Sequence, residues 1–203
     1  MAVGREHGIF GAYTSAFPSI MAKLAVIALE NIIEVEYVQE LIRRRRLAPA
    51  KPPVHLEASP WQLKIHVLGD FRIERNGMPL VFSGKLQRKP LTILKAIVAF
   101  GEKGVSEEQL KDILWPDAEG DAAHAAFKMA LSRLRQLIGI ENVIRSYEGR
   151  MMLDPRSCWV DAWAFEQTIN EAREPLHPEK SRMLETMGKA LSLYRGAFLP
   201  SDV

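Results

Sequence analysis

The chain has 203 residues, 47% of them hydrophobic and 26% charged, with a formal net charge of +2. That is the composition of an ordinary globular protein with enough chain for one or two domains, and a charge so close to zero does not by itself point to nucleic acid. The single cysteine, Cys158, excludes an internal disulfide, no apolar run approaches the roughly 18 residues of a membrane helix, and the N-terminus lacks the basic-then-apolar order of a signal peptide, so the expected location is the cytoplasm.

Residues 18–30 carry Ile20, Leu24 and Ile27 at helical spacing behind a start signal at Pro18 or Ser19. A second short helix places Val35, Val38, Leu41 and Ile42 on one side and ends in four arginines, 43–46, where cations oppose the negative end of the helix dipole. Two helices in about 45 residues bury little by themselves. Residues 1–47 therefore read as the remnant of a larger helical region, and the arginines either as a nucleic-acid contact or, at least as readily, as a solvated helix end leading to a linker. Prolines 49, 52, 53 and 60 mark residues 48–60 as an extended linker.

Beyond the linker the period drops to two. Leu63, Ile65 and Val67 alternate with polar residues, as do Phe71 and Ile73, and Asn76-Gly77 is a type I′ hairpin signal with a return strand expected over 78–82. A helix over 86–100 turns Leu91, Leu94, Ile97 and Val98 inward and tolerates Pro90 in its first turn. Lys85, Arg88 and Lys89 crowd its N-terminal end, where the dipole disfavours cations; a nearby phosphate would resolve the conflict. Ser106 and Gln109 form a capping box for a helix that should bury Leu110, Ile113 and Leu114 and stop at Trp115-Pro116.

The helix over 121–138 is the centre of the pattern. Phe127, Leu131, Leu134 and Ile138 fall within a stripe about 60° wide. Ala125, Lys128, Met129, Ser132, Arg133 and Gln136 lie opposite, with His124 and Arg135 on one flank; Asp121 is the expected N-cap and Gly139 the left-handed stop. No acidic residue follows Asp121 in this helix. A small, basic, hydroxyl-bearing outer face suits a major groove, because small residues allow close approach while Lys, Arg and Ser reach phosphates and base edges. Residues 143–147 and 150–153 around Glu148-Gly149 form a second hairpin, with Arg145 and Arg150 near its tip. Sheet, three helices and hairpin make an α+β fold, a winged helix-turn-helix with an N-terminal antiparallel sheet and a C-terminal wing over 61–156. Residues 157–203 turn helical again. Asp161 caps a helix presenting Trp163 or Ala162, Phe165 and Ile169, and a further helix over 179–194 turns Met183, Leu184, Met187 and Leu191 inward. That domain looks truncated, and both ends read as cut from a longer protein.

The runs LGDFRIERNGMPL, GKLQRKPLTILKAIV, VSEEQLKDILWPD, AAFKMALSRLRQLIG and IRSYEGRMMLD resemble the DNA-binding domain of the antibiotic-regulatory-protein (SARP) type of bacterial transcriptional activator, an OmpR/PhoB-like winged helix. VDAWAFEQTI and ALSLYRGAFLPSD are similar to the opening of the bacterial transcriptional activator domain that follows it in such proteins, and IEVEYVQELIRRRRL to the end of the helical-repeat region of MalT-like regulators. The resemblance implies a DNA-binding activator with Lys128, Ser132, Arg133, Arg135 and His124 at the major groove, Lys85 and Arg88 on the backbone, and Arg145 and Arg150 on the wing. It implies that the loop carrying Trp115, Asp117 and Glu119 meets RNA polymerase. Its partners would be double-stranded DNA and polymerase, with a homodimer on tandem sites left open, and its place the nucleoid. Ser132 and Lys128 are the expected base readers.

No chemistry competes with that reading. The five histidines are not at metal-ligand spacing with Cys158 or one another, Cys158 reads as a buried structural thiol, and no phosphate loop, nucleophile elbow or acid/base pair is present, so neither an enzyme nor a cofactor is expected. The alternative is a protein-interaction module that uses the winged-helix scaffold without DNA.

Overall fold

The computed structural model describes residue 6 and residues 17–47, 53–82, 88–173 and 180–202. The chain divides into two compact units, Met1–Trp61 with Ala164–Tyr194 and Gln62–Trp163 with Arg195–Val203.

In the first unit, α1 (Pro18–Glu30) packs on α2 (Val35–Arg45). The buried side of α1 is Ala22, Ala25, Ala28 and Leu29, meeting Val38 and Leu41 of α2 and Leu47. Ile20, Leu24 and Ile27, the stripe expected inside, are exposed. Alanines let two helix axes come close, so the small-residue side seals against α2 and the large apolar side is left outward. Arg43 and Arg44 both pair with Glu40, at 3.5 and 2.6 Å, as neighbours on one helix face do.

In the second unit, β1 (Leu63–His66) is the centre of a sheet ordered β3-β2-β1-β7. β2 (Arg72–Arg75) pairs antiparallel with β1, Ile65 opposite Ile73, and β3 (Met78–Pro79) with β2. Asn76 and Gly77 have φ of 51° and 81°, the type I′ turn. The return strand is shorter than the expected 78–82. Its last bond to β2 is Leu80 N–H donating to Ile73 O at 2.8 Å, and Val81 beyond it is exposed.

α3 (Arg88–Ala99) buries Pro90, Ile93, Leu94, Ile97 and Val98, with Leu91 only half-buried. β4 (Val105–Ser106) leads into α4 (Glu107–Leu114), where both arms of the Ser106–Gln109 capping box are formed. Ile113 of α4, expected in the core, is 55% exposed. An eight-residue helix buries one narrow stripe, here Leu110 and Leu114, and Ile113 lies about 80° from its centre. α5 (Gly120–Ile138) packs against α3 and α4. β5 (Ile144–Tyr147) and β6 (Arg150–Leu153) form the wing hairpin, turned at Glu148 and Gly149 with φ of 48° and 73°, and β4 adds an antiparallel third strand beside β6. Two residues of β4 were too few to read as a strand in the sequence.

β7 (Cys158–Val160) pairs parallel with β1, Val160 beside Ile65. It precedes α6 (Asp161–Arg173) and α7 (Lys180–Leu193). The sheet unit thus extends past the expected boundary at 156, because β7 and residues 195–203 complete it. Asp161 holds this junction. Its carboxylate accepts the amides of Val67 at 2.9 Å, Leu68 at 3.1 Å and Ala162 at 2.8 Å, so it ties two elements where a simple helix cap was expected. The segment after α7 docks on the same strand end. Gly69 N–H donates to Ala197 O, Leu199 N–H to Val67 O, and Arg195 Nη1 to the buried His66 Nδ1 at 2.9 Å. His66 also stacks edge-on against Trp159, ring centroids 5.3 Å apart. The YRGAFLP run is therefore part of the sheet unit at Arg195, Ala197 and Leu199.

On α7, Met183, Leu184 and Leu191 are exposed, against expectation, while Ala190 and Leu193 are buried. The buried pair lies about 100° around the helix from the expected stripe.

Asp161→Asn removes the charge and one acceptor oxygen from a fully buried, three-donor site. It should lower unfolding free energy by about 2–3 kcal/mol. Urea denaturation followed by tryptophan fluorescence checks this; an unmoved midpoint would show the junction to be unimportant.

Candidate nucleic-acid interface

α4, the turn at 115–119 and α5 form the helix-turn-helix, and the sequence around α5 explains its setting. Phe127, Leu131, Leu134 and Ile138 are all buried, as their spacing predicts. The N-cap is Glu119, its backbone extended and its side chain uninvolved; Asp121 sits in the first turn, where its charge meets the positive end of the dipole. It is not the cap that the sequence suggested. Gly139 takes the left-handed stop at φ 65°, and Arg75 of β2 donates to the free Ile138 carbonyl at 3.2 Å, fastening the helix end to the sheet.

The inward stripe fixes what faces outward. At about 100° per residue, Ala125, Met129, Ser132 and Gln136 form the crest opposite the core, with Lys128 and Arg135 on one shoulder and Arg133 on the other. All seven are exposed. Among the described residues, the side chains of Lys128, Ser132, Arg133 and Gln136 make no hydrogen bond or ion pair. Gln136 and Met129 lie on the outer face by their spacing in the sequence, but are not among the contact residues nominated there. Arg135 leans to 3.5 Å from Ile144 O, beside an open groove of about 670 Å³ whose lining includes Ser132, Gln136, Glu141, Asn142 and Ile144.

The other nominated residues divide sharply. Arg88 is exposed in the first turn of α3; Lys85 lies outside the described residues. Lys89 Nζ donates to Leu114 O and lies 5.2 Å from the Trp115 ring, so it caps the C-terminal end of α4. That contact, with no phosphate needed, accounts for a cation at this helix start. His124 Nδ1 is 2.8 Å from Glu107 Oε1 across the turn. Arg145 pairs with Asp154 at 2.5 Å, and Arg150 donates to Lys103 O at 3.0 Å and Gly104 O at 2.6 Å. Both wing arginines brace the wing, and its tip shows Tyr147, 63% exposed, beside Glu148. Asp117 and Glu119 are exposed on the turn and Trp115 is half-buried.

Cys158 is buried, and burial together with the Asp154 carboxylate pushes its thiol far above the ordinary range, away from nucleophile chemistry. Among the described residues no group of three or more His, Cys, Asp or Glu could hold a metal ion, and no helix is long and apolar enough to cross a membrane.

The arrangement of sheet, three helices and three-stranded wing is a winged helix-turn-helix. No family model matches the chain, and no curated protein sequence matches it. Among solved structures it is similar to Mycobacterium tuberculosis EmbR in complex with a low-affinity phosphopeptide, at 23% identity and a TM-score of 0.50. The match takes in 69% of this chain and 38% of the EmbR chain. That likeness is one of fold.

Gly104 seats the wing. Its φ is 66°, and an added Cβ would collide with the Met151 carbonyl oxygen. Gly77 has φ 81° with open space around it. Gly77→Ala should therefore cost about 1 kcal/mol for the backbone alone, and Gly104→Ala about 2–3 kcal/mol. Paired thermal melts check the order; equal losses would mean the wing gives way freely.

Proposed function

We propose that the chain is a DNA-binding transcriptional regulator of the activator type, with α5 in the major groove. The observation that supports this best is the outer face of α5, free of acidic residues beyond its first turn, with Lys128, Ser132, Arg133 and Gln136 not engaged by the described protein. A face with unengaged donors on its crest and cations on its shoulders fits a polyanion with polar base edges. Crest residues Ser132 and Gln136 read bases, Gln136 suiting adenine; the shoulder residues Lys128, Arg133 and Arg135 meet phosphates, as does Arg88. This refines the expectation for Lys128, which sits to one side of the crest. The wing arginines shape the wing, and His124 sets the turn. The exposed acidic turn at 115–119 is where polymerase would be met, by resemblance to SARP-type activators, and the flanking helices would belong to the regulatory parts of such a protein. The fold shared with EmbR supports the scaffold of this reading.

Fluorescence anisotropy of the full chain with mixed-sequence duplex DNA tests it. About four phosphate contacts should give log K falling against log salt with a slope of about −3 to −4. A slope near zero, or no binding at low salt, would favour the protein-interaction module. Lys128→Ala should weaken every duplex alike and reduce the slope by about one, whereas Ser132→Ala should change the order of preference among sequences. The reverse pattern would exchange their roles.

A further inference from the structure

The four crest residues of α5 differ in chemistry. Ala125 offers a methyl, Ser132 a hydroxyl and Gln136 an amide, but Met129 carries a long thioether and is 56% exposed. It is the large apolar side chain on this face, between Lys128 on one shoulder and Arg133 on the other. On the outer face of α5 the apolar surface is Met129 with the methyl of Ala125 beside it. A protein partner needs about 800 Å² on each side, and a single methionine bordered by cations is far from that.

A site of this size fits a single small apolar group among polar ones. In the major groove one base-edge feature meets that description, the C5-methyl of thymine; the other edge atoms that identify bases are hydrogen-bond donors or acceptors. On the reading that α5 enters the major groove, on which this inference rests, we propose that Met129 is a specificity-determining residue that packs its Sδ–Cε end on a thymine methyl. Lys128 and Arg133, held to phosphates on either side, keep the crest over the base edges. Three rotatable bonds and a polarisable sulfur let the side chain follow the methyl without moving the helix. Ala125, one turn earlier and almost in line, leaves room for that approach.

The test begins with selection of a duplex from a random library by the full chain. Each thymine of the selected duplex is then replaced singly by deoxyuridine, which removes the methyl and nothing else. At one or two positions the replacement should weaken binding about three- to five-fold, the effect of one buried methyl group. Met129→Ala should bind the thymine duplex as weakly as the natural chain binds the deoxyuridine one, and should not distinguish the two. Met129→Leu should still distinguish them. Equal sensitivity to deoxyuridine in Met129→Ala, no sensitive thymine, or a selected site with no thymine preference would overturn this inference while leaving DNA binding intact. Failure to bind any duplex would overturn it together with the reading beneath it.

Discussion

The rotation of α5 about its own axis is the constraint on which the rest depends, and four side chains set it. Phe127, Leu131, Leu134 and Ile138 are buried along one stripe. Each contributes about 1.5–3 kcal/mol when removed from water, so turning the helix by even one residue position would expose most of that stripe. Arg75 and Gly139 fix the far end by satisfying and closing its last turn. The crest of Ala125, Met129, Ser132 and Gln136 is therefore a consequence of packing, and so is the placing of cations on its shoulders.

The cations of this unit fall into two sets with different physics. Lys89, Arg145 and Arg150 are held by protein carbonyls or a carboxylate, where they cap a helix and brace a wing. The side chains of Arg88, Lys128 and Arg133 make no hydrogen bond or ion pair among the described residues. Net charge cannot see this division, because a guanidinium that donates to a backbone carbonyl counts the same as one standing in water. The wing is shaped by its arginines, and its tip shows an aromatic and an acid instead.

How much of this could be read beforehand depended on whether the deciding contact was local. The Ser106–Gln109 box, the Asn76-Gly77 turn, the α5 stripe and its glycine stop are all written within a few residues, and each formed as read. The parallel pairing of β7 with β1 joins residues about 95 apart, and the Asp161 carboxylate reaches the amides of Val67 and Leu68. No local pattern announces such contacts. On α1 the period is helical as expected, but the buried side carries three alanines, since apolar periodicity weights large side chains and close helix contact rewards small ones. For the candidate interface, the outer face was legible, whereas the engagement of Lys89, Arg145 and Arg150 depends on carbonyls that only the folded chain brings near.

Two-dimensional amide spectra of the chain, recorded while mixed-sequence duplex DNA is added at low salt, test the central claim most directly. The account predicts that resonances of residues 125–136 and the start of α3 move together, while those of α1 and α2 stay in place. Shifts confined to other elements, or none at all, would contradict it.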